Sequence, residues 1–235
     1  MIPAAGKTRP EESAQALTQQ PLTTQQPLAQ QESAQDILPP NRLSDAAIMA
    51  LLEETQAIRK GHFCLTSGRH SDTYIQCARV LEHPRLTLQL AGEAVARLPK
   101  GLPVDLVISP AIGGILFGFA VAMTLDKPLM FTERKEGRMA LRRSFEIPAG
   151  ARALVVEDVV TTGGSVKEVC DLVKEAGASV SGVVSLIDRG GTPVFDEAFF
   201  PLLRLETPSW VPQDCVLCKA GEGIDAPGSR YSRPR

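Results

Sequence analysis

From about residue 104 onward, short apolar runs alternate with helix-length stretches, and that alternation leaves few folds open. Val104-Asp105-Leu106-Val107-Ile108 stops at Ser109-Pro110, and Gly113-Gly114 then opens an apolar stretch predicted as helix to about Thr124. Residues 127–132 read as a further strand. Residues 151–157, rich in β-branched side chains, read as another. That run leads through Thr161-Thr162-Gly163-Gly164-Ser165 into a helix with Val166, Val169, Cys170 and Val173 on one face and Gly177 as its stop. Residues 180–187 are again strand. Strands apolar on both faces and separated by helices make a parallel sheet covered on both sides, so the predicted class is α/β.

Upstream, Ser44 is a candidate cap for a helix carrying Ile48, Leu51, Leu52 and Ile58 and ending before Gly61. Residues 63–76 read as irregular, and Leu90, Ala94 and Leu98 mark a second helix over about 86–98. Residues 1–40 differ in kind. They hold eight Gln, six Pro and no aromatic residue. Such a stretch buries too little apolar surface to offset its ordering entropy, so it reads as a disordered Gln/Pro-rich tail ahead of one domain over 41–235.

The chain has 235 residues and a formal net charge of −2, which argues against a nucleic-acid binder. No apolar stretch is long enough to predict a membrane span. Five cysteines without a secretory signal suggest a reducing cytoplasm. Cys215 and Cys218 form a lone Cys-x-x-Cys, read as two packed or partly exposed thiols. His62, His70 and His83 have no metal-ligand spacing and read as surface or packing residues, so no protein metal site is expected.

The strongest chemical signal is Val155-Val156-Glu157-Asp158-Val159-Val160-Thr161-Thr162-Gly163-Gly164-Ser165. Here an apolar strand meets two carboxylates, then a hydroxyl- and glycine-rich turn that opens a helix. Closely spaced N–H groups, hydroxyls and the helix dipole suit a phosphate. No Gly-Lys-Ser/Thr follows, which disfavours a P-loop triphosphatase. Two anions beside a phosphate must face something else: ribose hydroxyls, a divalent cation or a developing positive charge. A second signal is residues 134–143, with five cations against one carboxylate. A closing cationic loop would stabilise a pyrophosphate leaving group and exclude water.

The segment from Val155 to Val166 resembles the phosphoribosyl pyrophosphate (PRPP) signature of type I phosphoribosyltransferases. Three further segments resemble the orotate phosphoribosyltransferase branch. They are Leu65-Thr66-Ser67-Gly68-Arg69-His70-Ser71-Asp72-Thr73-Tyr74, the Arg134-Lys135-Glu136 run of a mobile catalytic loop, and Asp188-Arg189-Gly190. The resemblance spans about 41–230 and implies a mostly parallel sheet with a small hood built from the amino- and carboxyl-terminal segments. It implies transfer of phosphoribose from PRPP to orotate with Mg²⁺, by a homodimer whose loop reaches the partner's site, while charge, hydropathy and cysteine usage predict a cytoplasmic protein with neither nucleic acid nor membrane as partner.

The same resemblance assigns roles. Glu157 and Asp158 hold the ribose, with Asp158 catalytic. Val159, Val160, Thr161, Thr162, Gly163, Gly164 and Ser165 bind PRPP, and Thr161 and Arg189 meet orotate. Gly113 and Gly114 belong to the pyrophosphate loop, and Arg134, Lys135 and Arg138 act on the leaving group. The chain departs from many relatives in two places: Met139-Ala140 stands where a loop histidine is usual, and Gly113 where a lysine is. Transfer to another base, and a non-catalytic PRPP sensor on the same fold, are the competing readings.

Overall fold

The computed structural model of the chain describes residues 42–227, so the expected tail over 1–40 lies outside the described residues. The first helix, α1 (Asp45–Glu54), is capped as expected: the Ser44 hydroxyl accepts the Ala47 N–H at 3.2 Å. It stops earlier than the apolar spacing suggests. Gln56 takes a left-handed φ of 59°, and Ile58 becomes the first residue of a strand instead of the last of the helix. Next come β1 (Ile58–Cys64), β2 (His70–Ile75), α2 (Ala78–Leu81), α3 (Pro84–Ala96), β3 (Leu106–Pro110) and α4 (Gly113–Leu125). The chain continues through β4 (Leu129–Lys135), β5 (Arg138–Leu141), β6 (Arg152–Val160), α5 (Gly164–Glu175) and β7 (Ser179–Asp188). It closes with β8 (Phe199–Arg204), β9 (Ser209–Trp210), a 3₁₀ turn at Pro212–Asp214 and α6 (Val216–Lys219).

Six strands form the main sheet in the order β5-β4-β3-β6-β7-β8, all parallel except β5. The apolar runs divide their side chains between two cores. Val107, Leu154, Val156 and Val184 pack with α1, α2, α3 and α4, whereas Leu106, Ile108, Ala153, Val155 and Val183 pack with α5. Burial on both faces is why these strands read as continuously apolar rather than alternating. The face of α5 is as expected, with Val166, Val169, Cys170 and Val173 all buried.

The strand order contains a switch. From β3 the chain crosses through α4 to β4 on one side, and from β6 it crosses through α5 to β7 on the other. A crevice therefore opens between the carboxyl ends of β3 and β6, where open α/β sheets bind ligands.

Residues 63–76, expected to be irregular, belong to the antiparallel β1–β2 hairpin, which β9 extends into a three-stranded hood. A register shift between Lys60 and Phe63 breaks the alternation, and the inward side chains are mainly polar (His62, His70, Ser71 and Thr73), so no apolar period was visible. The segment expected to be a mobile loop is the β4–β5 hairpin, turning at Glu136-Gly137. Met139 anchors it: its side chain is buried in the α5-facing core.

Candidate active site

The acidic pair sits inside β6, not beyond its end, because β7 pairs with β6 as far as Val160↔Asp188. β3, in contrast, last pairs with β6 at Ile108↔Val155, so Glu157 and Asp158 line the opened crevice. Across it lies the start of α4. A methyl group added at Gly113 would stand 2.7 Å from an Asp158 carboxylate oxygen, and one at Gly114 would stand 2.9 Å from Glu157 Oε1. Any side chain at either position would displace the acidic pair. The glycines thus set how closely the two loops approach, and a side chain at Gly113 would require the Asp158 carboxylate to move.

Only 9% of Glu157 is exposed. Burial, and then the neighbouring Asp158 charge, push its carboxyl up to about 9. The pair is therefore not a double anion at neutral pH when the crevice is empty. That removes part of the repulsion a phosphorylated sugar would otherwise meet.

The turn after β6 leads directly into α5. Gly163 caps α5 with φ 77°, and a methyl group there would lie 2.5 Å from the Phe195 ring, so conformation and packing both require glycine. A cavity of about 60 Å³ is lined by Glu157, Val159, Val160, Thr161 and Gly163–Val166. Val160 lends only its backbone to that surface, since its side chain is buried in the core.

Thr161 also borders a larger cavity of about 540 Å³, whose wall includes Thr162, Arg189, Gly190 and Gly191 from the main sheet and Ser67, Arg69, Thr207 and Ser209 from the hood and its approach. Arg189 projects from the end of β7 and donates from Nε and Nη2 to the Thr207 hydroxyl at 3.2 and 3.0 Å. Neighbouring Asp188 does not pair with it; that carboxylate accepts from Arg204 Nε at 2.8 Å and from the Gly190 N–H at 2.9 Å. Among the described residues Arg189 has no acidic partner, and burial pulls its pKa down. A half-buried guanidinium facing a cavity without a carboxylate suits an anionic ligand with planar, bidentate geometry. Arg69, from the Ser-Gly-Arg segment, belongs to the same wall and donates to the Ser209 hydroxyl and carbonyl. Together with Thr207 and Ser209 it was absent from the candidates, since only the hood's closure brings those residues to the site.

The cations of the hairpin are not brought to either cavity. Arg134, Lys135 and Arg138 are exposed; Arg134 pairs with Glu168 of α5 at 3.0 Å and also donates to the Gly137 carbonyl. Glu168 also accepts the Met139 N–H at 2.8 Å, which ties the hairpin down. Two of the histidines, His62 and His70, are buried and converge on Cys215 and Cys218, although chain spacing gave no hint of it. His83, at the start of α3, remains at the surface.

Comparison with known proteins agrees with this geometry. Residues 89–211 match the phosphoribosyl transferase domain family. The chain is 47% identical over 189 residues to the orotate phosphoribosyltransferase of Chlorobaculum parvum, covering 80% of this chain and 97% of that protein. It is 48% identical over 184 residues to that of Thermotoga maritima, covering 78% and 98%. The crystal structure of the Aeropyrum pernix orotate phosphoribosyltransferase superposes with a TM-score of 0.56 at 26% identity, covering 74% of this chain and 98% of that one. A glycine- and hydroxyl-rich turn, an acidic pair in a strand and an arginine with no acidic partner among the described residues, set at the switch point of an α/β sheet, thus coincide with close sequence relationship, and the chain belongs to the orotate phosphoribosyltransferase family.

Proposed function

We propose that the protein transfers the 5-phosphoribosyl group of PRPP to orotate, releasing pyrophosphate and giving orotidine 5′-phosphate. The observation that carries this reading is Arg189, a half-buried cation with no acidic partner among the described residues, in a cavity that meets the phosphate cradle at Thr161. In this reading the 5′-phosphate lies on Thr161–Ser165, the ribose hydroxyls on Glu157 and Asp158, and the orotate carboxylate on Arg189. A bond from the orotate ring nitrogen to the anomeric carbon forms as the C–O bond to pyrophosphate breaks, and the proton of that nitrogen passes to water or to the departing pyrophosphate. The positive charge that develops on the sugar is stabilised by Asp158 across the crevice from Gly113. Hard carboxylate and hydroxyl oxygens at the crevice suit Mg²⁺, which would be held beside Asp158 together with the bound donor and would supply charge neutralisation.

Two features support assembly as a homodimer with the β4–β5 hairpin serving the partner's site. The hairpin cations lie outside their own cavities, and α4 exposes Leu116, Phe119 and Met123 beside an apolar groove of about 230 Å³. Among the described residues no helix is long and apolar enough to cross a membrane, and five free cysteines suit a cytoplasmic setting. The test is to incubate the purified protein with PRPP, Mg²⁺ and separate bases. Loss of orotate absorbance with pyrophosphate release supports the reading, and consumption of hypoxanthine or adenine in its place overturns the substrate.

A further inference from the structure

The two large apolar clusters do not extend through the hood. Its buried side chains beyond Ile58 are chiefly Phe63, His62, His70, Ser71, Thr73 and Cys215, an interior too polar to hold three short strands by hydrophobic burial alone. At its centre four potential ligand atoms lie within 4.8 Å of one another: one from each of His62, His70, Cys215 and Cys218. His62 Nε2 stands 3.2 Å from His70 Nδ1, 3.4 Å from Cys215 Sγ and 3.6 Å from Cys218 Sγ, and Cys218 Sγ stands 3.3 Å from His70 Nδ1. A tetrahedron with Zn–N of about 2.0–2.1 Å and Zn–S of about 2.3 Å has edges of about 3.3 Å between nitrogens and about 3.6 Å between nitrogen and sulfur. The four separations lie within about 0.3 Å of those edges, and the two remaining ligand pairs lie within 4.8 Å.

We propose that His62, His70, Cys215 and Cys218 form a structural zinc site that fastens the carboxyl-terminal turn to the β1–β2 hairpin. The tautomer of His62 supports it. Its Nδ1 lies 3.0 Å from the Glu222 carbonyl, a pure acceptor, so the proton sits on Nδ1 and the lone pair on Nε2 faces the other three ligands. His62 is 4% exposed, His70 8% and Cys215 0%, with Cys218 at the surface, and four protein ligands leave no open position of the kind a catalytic zinc needs. Two thiolates and two neutral imidazoles favour zinc over hard cations. On binding, two Zn–S and two Zn–N bonds form, both thiol protons leave to water, and the two thiolates neutralise the ion's charge without any redox change. The ion would brace the wall of the larger cavity, because the Leu65–Arg69 tip of the hairpin and Ser209 of β9 flank the cluster.

The test uses the full chain, purified under reductant, stripped with a chelator and titrated with Co²⁺ or Zn²⁺ alone. The expected result is one ion per chain, with the visible bands of tetrahedral Co²⁺ and a thiolate-to-cobalt charge-transfer band that Zn²⁺ abolishes. In Cys218→Ser, altered at the exposed ligand, Co²⁺ affinity falls at least about tenfold and the charge-transfer band weakens. His83→Ala binds as the parent does. A parent chain without thiolate–cobalt absorption, or a Cys215→Ser/Cys218→Ser chain that keeps the parent's spectrum and affinity, overturns the site. Should the serine variants not fold, the parent's thermal midpoint decides: stripping should lower it and Zn²⁺ restore it, and a midpoint indifferent to both also overturns the site. None of these readouts depends on transferase activity.

Discussion

The turn after β6 and the β4–β5 hairpin both carry groups assigned to PRPP, yet they are built in opposite ways. The turn is made of backbone. Gly163 is locked against Phe195, Thr162 accepts the Val194 N–H at 3.0 Å, and α5 begins directly behind it. The hairpin presents its chemistry on exposed side chains and spends them on its own chain, Arg134 on Glu168 and Arg143 on Glu133. In the proposed reaction one region is arranged before the ligand arrives, whereas the other would exchange its internal ion pairs for a ligand's charge. The difference fits the order of events in a transfer reaction. The donor's phosphate has to be held throughout, while the leaving group's charge appears only late and rewards groups that move in to meet it.

The comparison is broken most severely at the fixed end. Asp158→Asn should lower turnover by about a hundredfold or more while leaving the fold intact, since the amide keeps the shape and loses the charge that faces the developing cation. Steady-state rates near the parent's would remove Asp158 from the chemistry. Arg189→Ala should come next, lowering the specificity constant for orotate by roughly 30-fold and leaving the KM for PRPP nearly unchanged, because a charge-assisted bidentate contact is lost on one substrate only. An equal effect on both KM values would place Arg189 in the scaffold. At the movable end, Arg138→Ala should reduce turnover by about tenfold with little change in PRPP affinity. A purely ground-state effect would mean the hairpin is no different in kind from the turn.

How much of this could be read in the residues follows the same division. The turn was legible because strand, acidic pair, hydroxyls, glycines and helix succeed one another within a dozen positions, so local chemistry and local structure coincide. Even there the end of β6 was misjudged, since the pairing to Asp188 that carries it to Val160 comes from a distant strand. The hairpin's cations were legible as charge but not as structure: Met139, a core residue pointing inward beneath exposed arginines, is the piece that makes the segment a hairpin. The hood was least legible. His62 and Cys215 are 153 positions apart, and their meeting depends on β9 pairing with β2 at His70↔Trp210.

A smaller effect sharpens the description of the fixed region. Because the folded chain raises Glu157 from 4.5 to about 9, it holds a proton there that the unfolded chain has already released. Stability from this group is therefore present below about pH 4.5 and declines as pH rises toward 9. The thermal midpoint of the ligand-free protein should fall across that window, and Glu157→Gln should flatten the fall. Parent and variant profiles that run parallel would show that Glu157 titrates normally and that the crevice carries both negative charges.

The smallest expected effect concerns neither region. Residues 1–40 carry no pattern that builds the turn, the hairpin or the hood, all of which are assembled from Ile58 onward. The Chlorobaculum and Thermotoga relatives align over nearly their whole length while leaving about a fifth of this chain unmatched. If catalysis needs only a prearranged phosphate turn and a hairpin that moves to the leaving group, deleting residues 1–40 should leave the turnover number, both KM values and the thermal midpoint unchanged. A truncated chain with normal PRPP binding but slow turnover would instead tie the amino-terminal segment to the movable region. Weakened PRPP binding would tie it to the fixed one.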